Sequence, residues 1–111
     1  MKSLLALLAL CVTITGTAAN AKTELEIEAG EIESALDMYF VDCHEFPRSL
    51  DGLLSPPDDC KGMWGPDRYL LKNPANQWTH QWQYERTDPN NFVLKTYGDF
   101  VVNGTAPKKG N

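Results

Sequence analysis

The sequence is short of the residues that most often carry chemistry. It holds two histidines and three cysteines in 111 residues, and its ten lysines and arginines nowhere gather into a patch. With a formal net charge of −5 and a pI near 4.8, it lacks the clustered cations that phosphate binding needs, which argues against nucleic acid as a partner. It contains no phosphate-binding glycine loop, no zinc-type Cys/His spacing and no Gly-x-Ser-x-Gly. There is no internal repeat and no low-complexity tract. The apolar run from Leu4 to Val12 falls well short of the roughly 18–20 residues that span a bilayer.

That run has the layout of a secretory leader. Lys2 supplies the positive start, "LLALLALCV" the apolar centre, and Ala19 and Ala21 the small residues of an A-x-A site. Residues 1–21 are therefore read as a Sec signal peptide cut after Ala21, and 22–111 as one exported domain with no membrane anchor after cleavage. Cys11 does not suggest a lipoprotein, because Leu10 stands where a small residue should precede a lipidated cysteine. Periplasm or medium is the expected location. Cys43 and Cys60 then remain as an even pair in an exported chain, and the expectation is one disulfide. A loop of that length contributes roughly 3 kcal/mol in the chain-entropy model, a large share for a domain this small.

Along the exported part, Leu25, Ile32, Leu36, Tyr39 and Cys43 recur at helical steps, with Ala29 and Ala35 on or near the same face. They predict an amphipathic helix from about Thr23 to Cys43, ended by Pro47. Glu24, Glu26, Glu28, Glu31 and Glu33 are read as its solvated surface rather than as a metal-binding face. Residues 48–77 look irregular and rich in turns, with "SLDGLL" as a short helix or turn and Leu50, Leu53 and Leu54 packing inward. A loop this long needs fastening, which a bond from Cys60 to Cys43 would supply. "HQWQYER", "NFVLKTY" and "DFVVNG" read as three antiparallel strands, joined through Asp88–Asn91 and a tight turn at Gly98–Asp99. The fold class is α+β: one helix on a small antiparallel sheet, with a long disulfide-fastened loop and a frayed tail, "TAPKKGN".

Asp42, Cys43 and His44 stand side by side at the helix exit. Adjacent residues on a helix point about 100 degrees apart, so Cys43 and His44 do not make a nucleophile–base pair and His44 is read as a helix-end residue. Trp64, Trp78 and Trp82, with Tyr69, Tyr84 and Tyr97, either fill the core of a loop-rich domain or offer rings for stacking on a glycan. Asn103-Gly104-Thr105 matches a glycosylation sequon, a pattern short enough to arise by chance. Nothing assembles an acid, a base and a pocket, so no enzyme is expected.

"ALDMYFVDCHEFP" at 35–47 resembles the helix end of the major pseudopilin of type II secretion systems, through Ala35, Leu36, Asp37, Tyr39, Asp42 and Pro47. "SLDGLLSPP" resembles that family's Gly-Leu segment. "RYLLKNPANQWTHQWQY" resembles its next stretch through Tyr69, Leu70, Pro74, Trp78 and Tyr84, and "NFVLKTYGD" its closing strand. The resemblance covers about residues 31–103. Family members begin with a peptidase-cut prepilin leader and a long apolar filament helix; here a Sec signal is expected to lead straight into the soluble half. The family's calcium loop corresponds to "TYGDFVVNGTAPKKG", where only Asp99 is acidic, so the site is expected to be lost. The disulfide would then serve as a staple in its place. Asn76-Gln77-Trp78-Thr79 replaces the family's Asp-Pro-Trp-Gly. The resemblance implies a non-enzymatic accessory or binding component whose partners are pseudopilins, other secretion-system proteins or an exported cargo. The alternative is a secreted glycan- or protein-binding module that reuses the fold.

Overall fold

A computed structural model describes residues 24–107. The signal peptide assigned to 1–21 and the last residues of the tail lie outside that range.

Helix α1 runs over residues 24–43. Its inward stripe is the one set by the sequence spacing: Ala29, Ile32, Ala35, Leu36, Tyr39 and Cys43 are buried, and Leu25 packs at the edge of the same cluster. The helix stops at His44, whose φ of 68° is left-handed and whose N–H donates to the Phe40 carbonyl at 2.7 Å. A residue in that conformation closes the last turn and cannot continue it. Phe46 then enters the core between Phe40 and Phe92, tilted to the first and edge-on to the second, with ring centroids 5.0 and 4.8 Å away.

The chain next doubles back. A 3-10 turn over Leu50–Leu53 buries Leu50 and Leu53, and a second over Asp58–Cys60 buries Cys60. Leu54 is half-buried. Gly52 is where the path is tightest: a Cβ there would lie 2.8 Å from the Pro47 Cβ, so a side chain would force the two segments apart. Beyond Cys60 the chain runs irregularly to residue 82.

Three strands complete the domain: β1 (Gln83–Asp88), β2 (Asn91–Thr96) and β3 (Phe100–Thr105), antiparallel in that order. Alternation sends Tyr84 and Arg86, Phe92 and Leu94, and Phe100, Val102 and Gly104 toward the helix. Across the sheet Arg86, Phe92 and Gly104 stand in one row. Gly104 makes room for the Phe92 ring, which a Cβ would approach to between 2.0 and 2.5 Å.

The two turns differ in device. At the first, a bulge between Arg86 and Asp88 leaves Thr87 unpaired. Asp88 accepts the Asn91 side-chain amide at 2.9 Å and the Asn90 N–H at 2.8 Å, and these bonds, the one from Asn91 foremost, hold its carboxyl below the usual range. At the second, Gly98 and Asp99 both have positive φ, 65° and 63°, which lets the chain reverse in three residues.

The strand boundaries shift from the sequence reading by one to three residues, and two of the shifts have a visible cause. The first strand begins at Gln83 and not at His80, because the Trp82 N–H donates to the Pro74 carbonyl at 2.9 Å. The third strand reaches Thr105, inside the segment read as a frayed tail, and the Ala106 N–H donates to the Asn90 carbonyl at 2.8 Å.

Candidate interaction surface

The helix exit fastens the long connection. Cys43 and Cys60 are joined in a disulfide with Cα atoms 5.6 Å apart. Beside the bridge, at the residue before Cys43, the Tyr69 hydroxyl donates to Asp42 Oδ2 at 2.6 Å and accepts the Gly65 N–H at 3.0 Å. His44, the third member of the corner, is exposed. Asp42 and Cys43 thus hold the connection at Tyr69 and Cys60. Asn73 extends the same work: its Nδ2 donates to Asp51 Oδ1 at 2.7 Å, its Oδ1 accepts the Ala75 N–H, and its own N–H goes to Gln77 Oε1. Asn73 is nearly buried, and each of these bonds replaces one it would make with water.

The tryptophans face inward. Trp82 is 1% exposed, edge-on to Phe100, with its indole N–H on Glu28 Oε1 at 2.9 Å. Trp64 donates to the Gly52 carbonyl at 2.7 Å and meets Tyr69 edge-on at 5.2 Å. Trp78 is half-buried against the core. The three do not form an exposed row.

One helix glutamate departs from the solvated-face reading. Glu28 receives both Trp82 and His80, the latter at 2.8 Å from its Oε2, and so ties α1 to the entry of the sheet. Periodicity could not show this, because the two partners lie more than fifty residues away. At the other end Arg86 Nη1 donates to Glu45 Oε1 at 2.9 Å and to the Phe46 carbonyl at 3.2 Å.

The outward side of α1 carries what the sequence reading passed over. Ile27, Met38 and Val41 are 59, 56 and 66% exposed. With Ser34 they fall at steps of seven, four and three, which is one line along a helix. The line borders a shallow depression of about 530 Å³ bounded by Gly30, Ser34, Met38, Tyr69 and Leu70. Leu71, 79% exposed, lies next to it in sequence. An apolar strip on one helix, flanked by leucines of the fastened connection, is a surface suited to contact another protein. The signal was present as a second helical period, weaker than the core stripe because Glu31 and Ser34 interrupt it.

Asp99, the acidic residue of the segment that corresponds to the family's calcium loop, sits in a turn of three residues between paired Thr96 and Phe100. Among the described residues no group of three or more His, Cys, Asp or Glu side chains converges. Nor, among those residues, is any helix long and apolar enough to cross a membrane.

Compared with known proteins, residues 12–110 match the family model described as type II secretion system (T2SS), protein G. The match extends beyond the 31–103 segment that carries the motifs. No curated protein and no solved structure matches the chain.

Proposed function

The chain belongs to the type II secretion system protein G family, and from that premise we propose that it is a non-enzymatic component that works by docking on other proteins of the secretion system. It does so through the apolar strip of α1. The observation that carries this reading is the exposure of Ile27, Met38 and Val41 in one line: three large apolar side chains held toward water on a helix whose other face is fully committed to the core. The connection completes the surface, because the disulfide and the Asp42–Tyr69 bond hold Leu70 beside the strip.

Export is part of the reading. A disulfide persists in oxidising compartments, and the family is one of a secretion machine. With residues 1–21 removed as a signal peptide, the protein acts from the periplasm or beyond as an accessory subunit.

The test is capture of envelope proteins on tagged residues 22–111, with the bound proteins identified. Recovery of type II secretion subunits by the wild type, and its loss on Met38→Glu with Val41→Glu at unchanged melting temperature, is the expected result. Equal recovery by the variant would move the docking surface elsewhere. Recovery of no such subunit would remove the secretion role.

A further inference from the structure

We infer that the sheet carries a second site, on its side facing away from α1: a polar groove that binds a neutral oligosaccharide, with Tyr97 as the ring on which a pyranose stacks. The groove has a volume of about 490 Å³ and runs between the residues leading into β1 and the β2–β3 turn. Its lining includes Gln81, Gln83, Lys95, Tyr97 and Asp99, all exposed. It continues into a smaller depression of about 210 Å³ over Glu85 and Val93, and the two share Gln83 and Lys95. The combined shape is elongated, which suits a chain of sugar units better than a single one.

The lining selects the ligand by its chemistry. Two primary amides offer both donors and acceptors, and a hydroxyl-rich molecule uses both. Lys95 and Asp99 bring opposite charges to one groove, and among the described residues neither enters a salt bridge. A phosphorylated or polyanionic ligand would want clustered cations, and only one cation is here. A wholly apolar ligand would leave the amides and charges without partners. What remains is a neutral polar molecule with one apolar face, which describes a pyranose: its C–H face lies on an aromatic ring while its hydroxyl edge meets the amides.

Tyr97 is placed for that role. It is 60% exposed, yet it is not a loose side chain. The turn at Gly98 and Asp99 sets its backbone, and the His80 ring stands edge-on to it at 5.9 Å and 74°. His80 is in turn held by Glu28 at 2.8 Å. A ring fixed before the ligand arrives loses little freedom on binding. The core tryptophans do not supply such a ring, so the glycan platform, if aromatics serve one, lies at 97 and not at 64, 78 or 82. The groove and the α1 strip share no lining residue, so both can be occupied at once.

The experiment is titration of the full chain with tetramers of N-acetylglucosamine, β-1,4-glucose and α-1,4-glucose, followed by backbone amide NMR shifts. We expect at least one tetramer to bind, with shifts confined to residues 81–85 and 93–101. Tyr97→Ala should weaken that binding by roughly tenfold or more and Tyr97→Phe by less than about threefold. Gln83→Ala, on an exposed strand position, is the second variant and should weaken it severalfold; melting temperatures verify that each variant is folded. Absence of binding by all three sugars up to about 10 mM, binding unchanged in Tyr97→Ala, or shifts centred on Trp64 and Trp78 would each overturn the inference.

Discussion

Residues 44–82 and the sheet at 83–105 are neighbours in sequence but are held together by different physics. The sheet is a meander whose backbone groups pair along two ladders, with turns closed by local devices at Asp88 and at Gly98–Asp99. The connection has no ladder. It is fixed by side chains reaching across it (the disulfide, Trp64 on Gly52, Tyr69 on Asp42, Asn73 on Asp51) and by isolated backbone bonds, such as those from the Tyr69 and Leu70 N–H groups to the Leu53 carbonyl. A ladder spreads its stability over many equivalent bonds. A set of cross-ties concentrates it, so that removing one should release a segment rather than the whole domain. The comparison also bears on function, since the cross-tied segment is the one that brings Leu70 to the α1 strip.

The largest expected effect comes from the strongest tie. Cys43→Ser with Cys60→Ser should cost about 3 kcal/mol and lower the melting temperature. Hydrogen exchange should rise first in residues 50–77 and later in β2. Uniform loss of protection in both would break the comparison. In the sheet, Gly104→Ala sets a methyl against the buried Phe92 ring and should cost about 1–3 kcal/mol by overpacking. Here protection should fall throughout, because Phe92 joins the sheet to Phe46 and the helix exit. A variant in which only β3 frays would show the sheet to be less unified than proposed.

Tyr69→Phe removes the hydroxyl that bridges Asp42 and Gly65. A loss of about 1 kcal/mol is expected by denaturant melting, with increased exchange at Gly65 and Leu70 and none in β2.

How much of this was legible follows the same division. The helix stripe, the strands and both turns are local in cause: a 3.6-residue period, a two-residue alternation, Asx and glycine turn chemistry. Cys43–Cys60 was legible by count alone. In the connection the short turn of "SLDGLL" and its inward leucines were legible, but its ties were not, because Asn73–Asp51 and Trp64–Gly52 are pairings that no period links. Glu28 looked like every other helix glutamate until its partners at 80 and 82 were brought to it. The exposed strip was written in the helix spacing, but the stronger core stripe drew the reading first.

The smallest effect lies on the helix flank. Burial, and then the charge of Asp37 one turn on, holds the Glu33 carboxyl above its ordinary range; burial raises Asp37 as well. A carboxyl raised in the fold favours its neutral form there, so its stabilising contribution is present below the unfolded value near 4.3 and is lost as pH rises through the higher folded value. Glu33→Gln should therefore stabilise by a few tenths of a kcal/mol at pH 7, and the gain should vanish by about pH 4. A gain that persisted in acid would point to packing rather than charge.

The most direct test of docking through α1 is site-specific photocrosslinking in living cells. A photoreactive residue is placed at Met38, on the strip, and as a control at Val93, on the outer face of the sheet. The account predicts that Met38 crosslinks to a subunit of the type II secretion system while Val93 does not. No such crosslink from Met38, or the same crosslink from Val93 alone, would contradict it.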